Sequence, residues 1–559
     1  MRSDFERLFF LSILALAATY LHAADSVLLP VENDYYTYIE GIFLESGVVP
    51  PFEDIPIQSE YLAKELKKIG ISEDEYRRAL SIREVPDPLS LLLETSLRAQ
   101  YNNETDRLHF IQTADRKIVD YLSLYDAHST PSAIGTGFMA AKHNFFLLCY
   151  IDLRATPSSL LEDHDILNIP DSFVGLDMNV PYQGGISFYA DPFEFRFFRD
   201  KLQLGPGRWS SLSLNTHMPY FDYISAKLDF DHVSLSAYLV RLDPILSPRE
   251  STALMEMTAG ENPDLHARTG LPYTDRSKHL AVHKLVLRPF PWLTLGLTEL
   301  NLIGGRDPQL EDFNPLIVFH NSYNESTNIV SSTFTATLVP IRGVMLYGEF
   351  YLYDAVVGDE LNPRFKPTAL AYQAGLSVLS SPFFSLGPGR LRLDGELSIV
   401  DPWVYHRWYN LRKYTSRIAY IDSYGLGRYW VDYPLGYYLG PDSFDLHVAL
   451  TYERPLRWAV SLLYNKQGLG SIDLYGWGDD SLFSRTEEED MPLTGAPTSR
   501  PGIPASWIDR IRIDGFVYLT QILKLSAWFE YKYVQNRYHV EGDDRSFLNL
   551  GLDAKLTLF

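Results

Sequence analysis

The chain has little cysteine: Cys149 is the single one in 559 residues. A disulfide framework is therefore excluded. Cys149 sits in Phe145-Phe146-Leu147-Leu148-Cys149-Tyr150 and reads as a small apolar strand residue. Long apolar runs are also scarce. After Ala24 none approaches the ~20 residues of a spanning helix, so any later membrane crossing must use strands. Positive charge is in deficit, with 49 Lys and Arg against 71 Asp and Glu, a formal net charge of −22. That balance argues against nucleic acid and against bulk attraction to anionic lipid. Catalytic signatures are missing too: there is no HExxH, no Walker loop and no Gly-x-Ser-x-Gly. The 14 histidines show no ligand spacing. His279 and His283 lie in a strand-like run and read as lumenal or interfacial polar residues. No catalytic residue, metal or cofactor is expected.

What the chain does have is alternation. Leu391, Leu393, Gly395, Leu397 and Ile399 interleave with Arg392, Asp394, Glu396 and Ser398. Ile511, Ile513, Gly515, Val517 and Leu519 interleave with Arg512, Asp514, Phe516 and Tyr518. Period 2 places one set on each face of a strand. A soluble sandwich and a membrane barrel both give this pattern, with the apolar face toward a core or toward lipid. Two features favour the barrel. Aromatic residues make up 14% of the chain, with 37 Tyr, and Tyr and Trp gather at membrane interfaces. The opening segment also points to export. Arg2 and Arg7 precede an apolar run from Leu8 to Leu21, and Ala23-Ala24 offer small residues for cleavage. No cysteine near that point permits a lipid anchor.

Three regions follow: a signal peptide over 1–24, an N-terminal helical segment over 25–87 and an outer-membrane β-barrel over 88–559. In the second region, Tyr35 to Leu44 forms one helix candidate. Ser59 is expected to cap another, with Leu62, Leu66 and Ile69 on one face and Gly70 as its stop. Ser72 and Glu75 form a capping box for a third. Beyond Leu89 strand candidates run as a meander of hairpins, Lys117 to Tyr125 among them. The count is roughly 16 to 20 strands, enough to leave a lumen that side chains alone do not fill. Asp231-His232 and Pro340-Ile341-Arg342 read as tight turns. Pro244 to Ser277 and Gly476 to Ala505 read as long external loops, the latter carrying the solvated run Glu487-Glu488-Glu489-Asp490. In the last strand Phe547 and Phe559 fall out of phase with the apolar face.

Charged residues on the polar faces are the candidate lumen lining: Glu194 and Arg196; Arg392, Asp394 and Glu396; Arg510, Arg512 and Asp514. They are expected to line a wet lumen, pair across it and hold it open. The string Gly205-Pro206-Gly207-Arg208 recurs as Gly387-Pro388-Gly389-Arg390. No helix follows either copy, so turn chemistry is the reading. Trp403, Tyr405, Trp408, Tyr409, Tyr429 and Trp430 form an aromatic stretch that suits either a shallow sugar-stacking surface or a membrane girdle.

Three separated segments resemble the Wzi-like capsule assembly family. The first is Phe195-Arg196-Phe197-Phe198-Arg199-Asp200-Lys201-Leu202-Gln203-Leu204-Gly205-Pro206-Gly207-Arg208-Trp209-Ser210-Ser211-Leu212-Ser213-Leu214-Asn215, which is similar to that family's strand, glycine turn and serine-leucine strand. The second is Thr298-Glu299 with Gly304-Gly305 and Asn314-Pro315. The third is Tyr347-Gly348-Glu349-Phe350-Tyr351-Leu352-Tyr353-Asp354. The resemblance implies an antiparallel outer-membrane β-barrel of about 18 strands with a small helical bundle at its periplasmic end. It implies binding or anchoring of capsular or extracellular polysaccharide at the cell surface, without catalysis. The alternative is a porin or solute transporter. Expected partners are outer-membrane lipid, the polysaccharide and the barrel assembly machinery; a monomer is expected.

Overall fold

The computed structural model describes residues 27–29, 34–72, 89–104, 110–112, 117–122, 134–142, 144–153, 182–246, 251–252, 277–319, 328–354, 369–384, 386–405, 411, 413–421, 428–471, 474, 501–502, 504–520 and 522–558. Eighteen strands close one barrel. In chain order they are β1 (Leu89–Asn102), β2 (Ile134–Lys142), β3 (Phe145–Leu153), β4 (Tyr182–Ala190), β5 (Phe193–Asp200), β6 (Phe221–Asp229), β7 (Val233–Leu242), β8 (Lys278–Phe290) and β9 (Leu293–Gly304). They continue as β10 (Asn328–Ile341), β11 (Val344–Asp354), β12 (Ala369–Leu379), β13 (Arg390–Val400), β14 (Ser443–Arg454), β15 (Trp458–Leu469), β16 (Ser506–Tyr518), β17 (Leu523–Gln535) and β18 (Arg545–Leu558). Each strand pairs antiparallel with the next, and β18 pairs with β1 to remove both edges.

Alternation sets the two faces as the period requires. One continuous outward row runs Leu393, Leu450, Leu462, Ile513, Phe529, Leu550 and Tyr101 across seven strands. All seven are exposed large apolar residues. Their neighbours of opposite parity, such as Arg392, Arg512 and Glu530, point inward. A charged inner face and an apolar outer face make this wall a lipid-facing one.

One strand was not legible. The sequence favours Lys117 to Tyr125, but β2 supplies the missing wall strand instead. Gly135 and Gly137 dilute its alternation. Glycine is needed at 135, because a Cβ there would stand 1.9 Å from the Tyr150 hydroxyl. Lys117–Val119 forms only a short strand, in a four-stranded sheet with Phe110–Gln112, Thr415–Ile421 and Arg428–Pro434.

Short connections join β2–β3, β4–β5, β6–β7, β8–β9, β10–β11, β14–β15 and β16–β17, all at one end. Two helices sit at that end, α1 (Asp34–Ser46) and α2 (Ser59–Lys68). Tyr35, Ile39, Phe43, Tyr61, Leu62 and Leu66 bury one shared apolar core. Val49 N–H donates to Pro291 O (2.9 Å) and Gly343 N–H to Leu44 O (2.7 Å), tying α1 to the turns. Lys64 pairs with Asp191 (2.6 Å) and Lys68 with Asp231 (2.9 Å). Gly70, at φ +86°, follows the end of α2 as expected. Ser59 differs from expectation. It is the first residue of the helix, with Gln58 at the cap position, and its hydroxyl accepts from Val27 N–H (2.9 Å). The third helix candidate, the 1–24 segment, the 487–490 acidic run and Phe559 lie outside the described residues.

Ile513 faces outward beside inward-facing Arg512, so exchanging their polarity separates the two faces. Ile513→Arg is expected to cost about 2–4 kcal/mol at mid-membrane depth, and Arg512→Ile less. Heat-modifiable migration of the refolded protein measures the difference; equal losses would contradict the assigned faces.

Candidate functional site: the filled barrel interior

Eighteen strands enclose a space wider than side chains from the wall can fill. Here the chain folds back into it. The connection after β5 turns inward. Gln203–Leu204 pairs with Asp54–Ile55, and Leu204 bridges to Leu214. Leu212 and Leu214 are buried, and so are Ser211 and Ser213. The serine-leucine stretch is thus an interior segment, where both faces meet protein, and not a wall strand. Gly205 makes the close approach possible. Its φ is +126°, and a Cβ would fall 2.0 Å from Glu349 Oε1.

Arg208, from the first Gly-Pro-Gly-Arg string, and Arg392, from the wall, converge on Glu40 of α1. Glu40 accepts from Arg208 Nη2 (2.6 Å) and Arg392 Nη2 (2.8 Å). Asp394 accepts from Arg392 Nε (2.8 Å) and Ser377 Oγ (2.6 Å). Glu396 accepts from Arg208 N–H and Tyr347 Oη, both at 2.7 Å. Arg390, from the second string, pairs with Glu453 (2.8 Å) and Glu45 (3.4 Å). Both strings therefore carry an arginine to one carboxylate cluster. Burial pushes the Glu40 carboxyl up to about 7 against the pull of Arg208. Burial opposes the charge on Arg208, but Asp394 and Glu40 outweigh it and raise its pKa. A second anchor lies beside it. Lys284, fully buried, donates to Asp54 and to Glu53 O (2.7 Å). Burial alone would raise Asp54, but Lys284 holds it below the usual carboxylate range. A cavity of about 430 Å³ remains between α1 and the wall, lined by Tyr36, Glu40, Glu53, Gln203, Arg208 and Tyr347 among others.

Toward the other end a second insert, the connection from β13 to β14, packs on the first. Tyr405 Oη donates to Leu212 O (2.8 Å) and accepts from Tyr437 N–H (2.8 Å). Tyr414 Oη donates to Ser213 O (2.7 Å). The Tyr405 and Tyr414 rings stack at 5.5 Å, against Tyr351 of β11. Burial pushes both hydroxyls up, so they stay neutral donors. Asp445 of β14 gathers Tyr437 (2.8 Å), Tyr438 (2.7 Å), His447 (2.9 Å) and Asn465 (2.6 Å).

Two readings need correction. Arg392, Asp394 and Glu396 face inward but not a wet lumen, being 1%, 4% and 2% exposed. Helix α1 and the 203–215 segment cover them, because an 18-stranded barrel has room for both. Glu194 and Arg196 also face inward, pair with each other and are buried. Arg510, Arg512 and Asp514 face inward on a barer stretch of wall. There Arg512 meets Asp514 at 3.3 Å and both stay partly exposed. The aromatic stretch forms neither a surface platform nor a girdle where it is described. Trp403, Tyr405 and Trp430 are buried in the insert, with the Arg417 guanidinium 4.9 Å over the Trp430 ring. Tyr429 pairs with Tyr420 in the inner hairpin. Trp408 and Tyr409 lie outside the described residues. Sequence reasoning missed Glu40, Arg208, Lys284 and Asp445 as interior anchors. The repeated Gly-Pro-Gly-Arg string was the one available signal.

In fold the chain is similar to Wzi of Escherichia coli, an outer-membrane protein involved in group 1 capsule assembly and a carbohydrate-binding β-barrel. The TM-score is 0.55 over 95% of this chain and 99% of that one, at 11% identity. Looser likenesses are to OprD of Pseudomonas aeruginosa (TM-score 0.38, 8% identity, 84% and 96% covered) and OccAB4 of Acinetobacter baumannii (0.39, 9%, 84% and 98%). Such identities show the fold alone. No protein-family model matches the chain, and no curated protein matches it in sequence. The closed 18-stranded barrel with its apolar outer wall is an integral protein of the bacterial outer membrane.

Arg392→Met is expected to cost about 3–5 kcal/mol, because it strips a buried carboxylate pair of its partner. The Glu40→Gln, Arg392→Met double variant should cost less than the two single changes together. Urea titration of the refolded protein, followed by tryptophan fluorescence, measures both. Cysteine placed at Asp394 should resist a water-soluble maleimide in the folded barrel, while cysteine at Arg512 should react.

Proposed function

We propose that this chain anchors capsular or extracellular polysaccharide at the cell surface and performs no chemistry on it. The observation that carries the reading is the filled interior. Two inserts and α1 cross the lumen, locked by buried ion pairs and by tyrosine hydroxyls on backbone carbonyls. A barrel built to pass solutes keeps a wet path; a barrel built to hold a surface polymer has no need of one. The likeness in fold to a carbohydrate-binding barrel supports the same reading. On it, the three sequence segments resembling the Wzi-like family reflect kinship. Residues 1–24 are a signal peptide, 25–87 a periplasmic helical segment on the short-turn end and 88–559 the barrel, inserted by the barrel assembly machinery as a monomer. With Trp403, Tyr405 and Trp430 buried in the interior, sugar contacts fall to the long connections at the opposite end.

A second reading, a porin or solute transporter, draws on one specific feature. The inner face of β16–β18 and β1 is only half covered. Arg98, Arg510 and Arg512 stand there with Asp514, Glu530 and Asp553, in pairs from 3.3 to 3.8 Å. Such a polar strip suits a small hydrophilic solute.

A deletion strain decides between them. The anchor reading expects polysaccharide to move from the cell-attached to the shed fraction, and the purified barrel to show no steady conductance in a planar bilayer. Unchanged attachment together with an open pore would replace it with the transporter.

A further inference from the structure

The outer wall of β8 and β9 departs from the rest of the belt. Along β8 the even residues Lys278, Leu280, Val282 and Lys284 point inward. The odd residues His279, Ala281, His283, Leu285 and Leu287 therefore point outward. On β9 the outward set is Leu295, Leu297, Glu299, Asn301 and Ile303. Leu287, Leu295 and Leu297 are exposed as a lipid-facing row should be. Above them the outward residues turn polar, yet Asn301 and His283 are buried. They are covered from outside. The connection 305–319 folds down over the barrel wall as a strap.

The strap is well tied. His283 stacks on Phe319 with centroids 4.0 Å apart, and its ring nitrogens face Ile317 O (3.0 Å) and Asp312 O (3.2 Å). Phe319 N–H donates to Glu299 (3.0 Å), and Asn301 Nδ2 to Asp312 (3.4 Å). Arg306 holds Asp312 at 2.8 Å, and Asp312 in turn accepts from Gln309 N–H (2.7 Å). Ala281, Ile303 and Phe319 bury a small apolar seam beneath it. What it turns outward is apolar at three points: Leu310 is 90% exposed, Leu316 80% and Val318 51%.

Its height along the wall identifies what it meets. His283 stands seven positions above Phe290 at the short turn, and His279 eleven. A strand tilted about 40° climbs roughly 2.5 Å per residue, which puts the two histidines about 17 and 28 Å above that turn. The apolar band of such barrels is about 25 Å tall. Across the barrel, Ile511 stands seven positions and Trp507 eleven positions from Tyr518 at its short turn. Ile511 is an exposed belt residue, and Trp507 has the outward parity and chemistry of the upper aromatic girdle. Thus His283 and Glu299 stand at lipid depth, where bare polar groups are costly. Asn301, opposite Ala281, stands at the height of the outward pair Lys466 and Asp509, where the band gives way to charge.

We infer that the end of the strap, residues 315–319, lies in the outer leaflet as a replacement for the apolar wall that β8 and β9 lack, with Leu316 and Val318 packed among acyl chains. The deepest contacts are those of residues 317–319 with His283 and Glu299, and this places Leu316 and Val318 beside the Leu285–Leu297 row. The strap is continuous with the lipid-facing belt at Leu316 and Val318; its exposed polar residues, Asp307, Gln309, Glu311 and Asn314, belong to the earlier 307–314 part. This inference is independent of what the barrel binds at its long-loop end.

The test uses the full chain, refolded into phosphatidylcholine vesicles, in a Cys149→Ala background. Single cysteines at Leu316 and Val318 carry a nitroxide, and power saturation compares collision with oxygen and with a water-soluble nickel chelate. Ile513→Cys marks the lipid belt and Glu541→Cys the aqueous loops. Heat-modifiable migration confirms that each labelled chain is folded, and either strap position suffices. Oxygen-dominated collision at the strap, matching Ile513, is expected. Nickel-dominated collision, matching Glu541, overturns the inference. Suppression of both collisions also overturns it, since the strap would then be covered by protein, such as a second copy.

Discussion

Closure of the sheet is the constraint from which the rest follows. In hydrocarbon no water satisfies a backbone N–H or C=O, so the last strand must pair with the first. Here Leu550 meets Tyr101 and Leu552 meets Ala99 across that seam. Closure with eighteen strands fixes a diameter that wall side chains do not fill. The molecule resolves this with its own backbone: α1, the 203–215 segment and the long 401–442 connection enter the barrel and pack against β8 to β14.

Filling a polar-faced barrel differs from filling an apolar core. The wall presents Lys284, Arg392, Asp394 and Glu396 inward, and each must be neutralised once covered. The inserts bring Glu40, Asp54 and Arg208 to do so. Buried pairs of this kind contribute little net stability, but removing one partner is costly. Their effect is register. An insert shifted by one residue would present the wrong charge or an unsatisfied one. Gly205 and Gly207 serve the same fit: a Cβ at 207 would lie 1.8 Å from Ser210 O.

The outer wall shows the same economy from the other side. Most of the circumference meets lipid with residues of the strands themselves. On β8 and β9 the strands carry histidine, glutamate and asparagine outward, and a separate segment covers them. A barrel strand must satisfy one environment on each face at every height. Where its own sequence fails on the outer face, another part of the chain supplies the apolar surface.

Much of this was legible residue by residue. Alternation such as Leu391 to Val400 or Ile511 to Tyr518 states which residues oppose which, because a strand has only two faces. The outward parity of Ile513 and a count of roughly 16 to 20 strands follow from that; the choice of a barrel drew also on the aromatic content and the export-like opening. Strand β2 was hidden because Gly135 and Gly137 carry no side chain to alternate; a Cβ at 135 would meet the Tyr150 ring on the next strand, and one at 137 the backbone of Cys149 and Tyr150. The candidate sites were less legible. Period 2 says that Arg392 faces away from lipid, but not whether water or protein lies there. Nor does an aromatic-rich stretch say whether it ends on a surface or, like Tyr405 and Trp430, within the barrel. Local sequence alone thus determined most of the wall strands and the two faces of each, since these depend on neighbours one or two positions apart. Only the tertiary structure decided what fills the lumen, which charges meet and where the strap lies. Those contacts join residues hundreds of positions apart, as Glu40 and Arg392 do, and depend on a diameter that exists only once the barrel has closed.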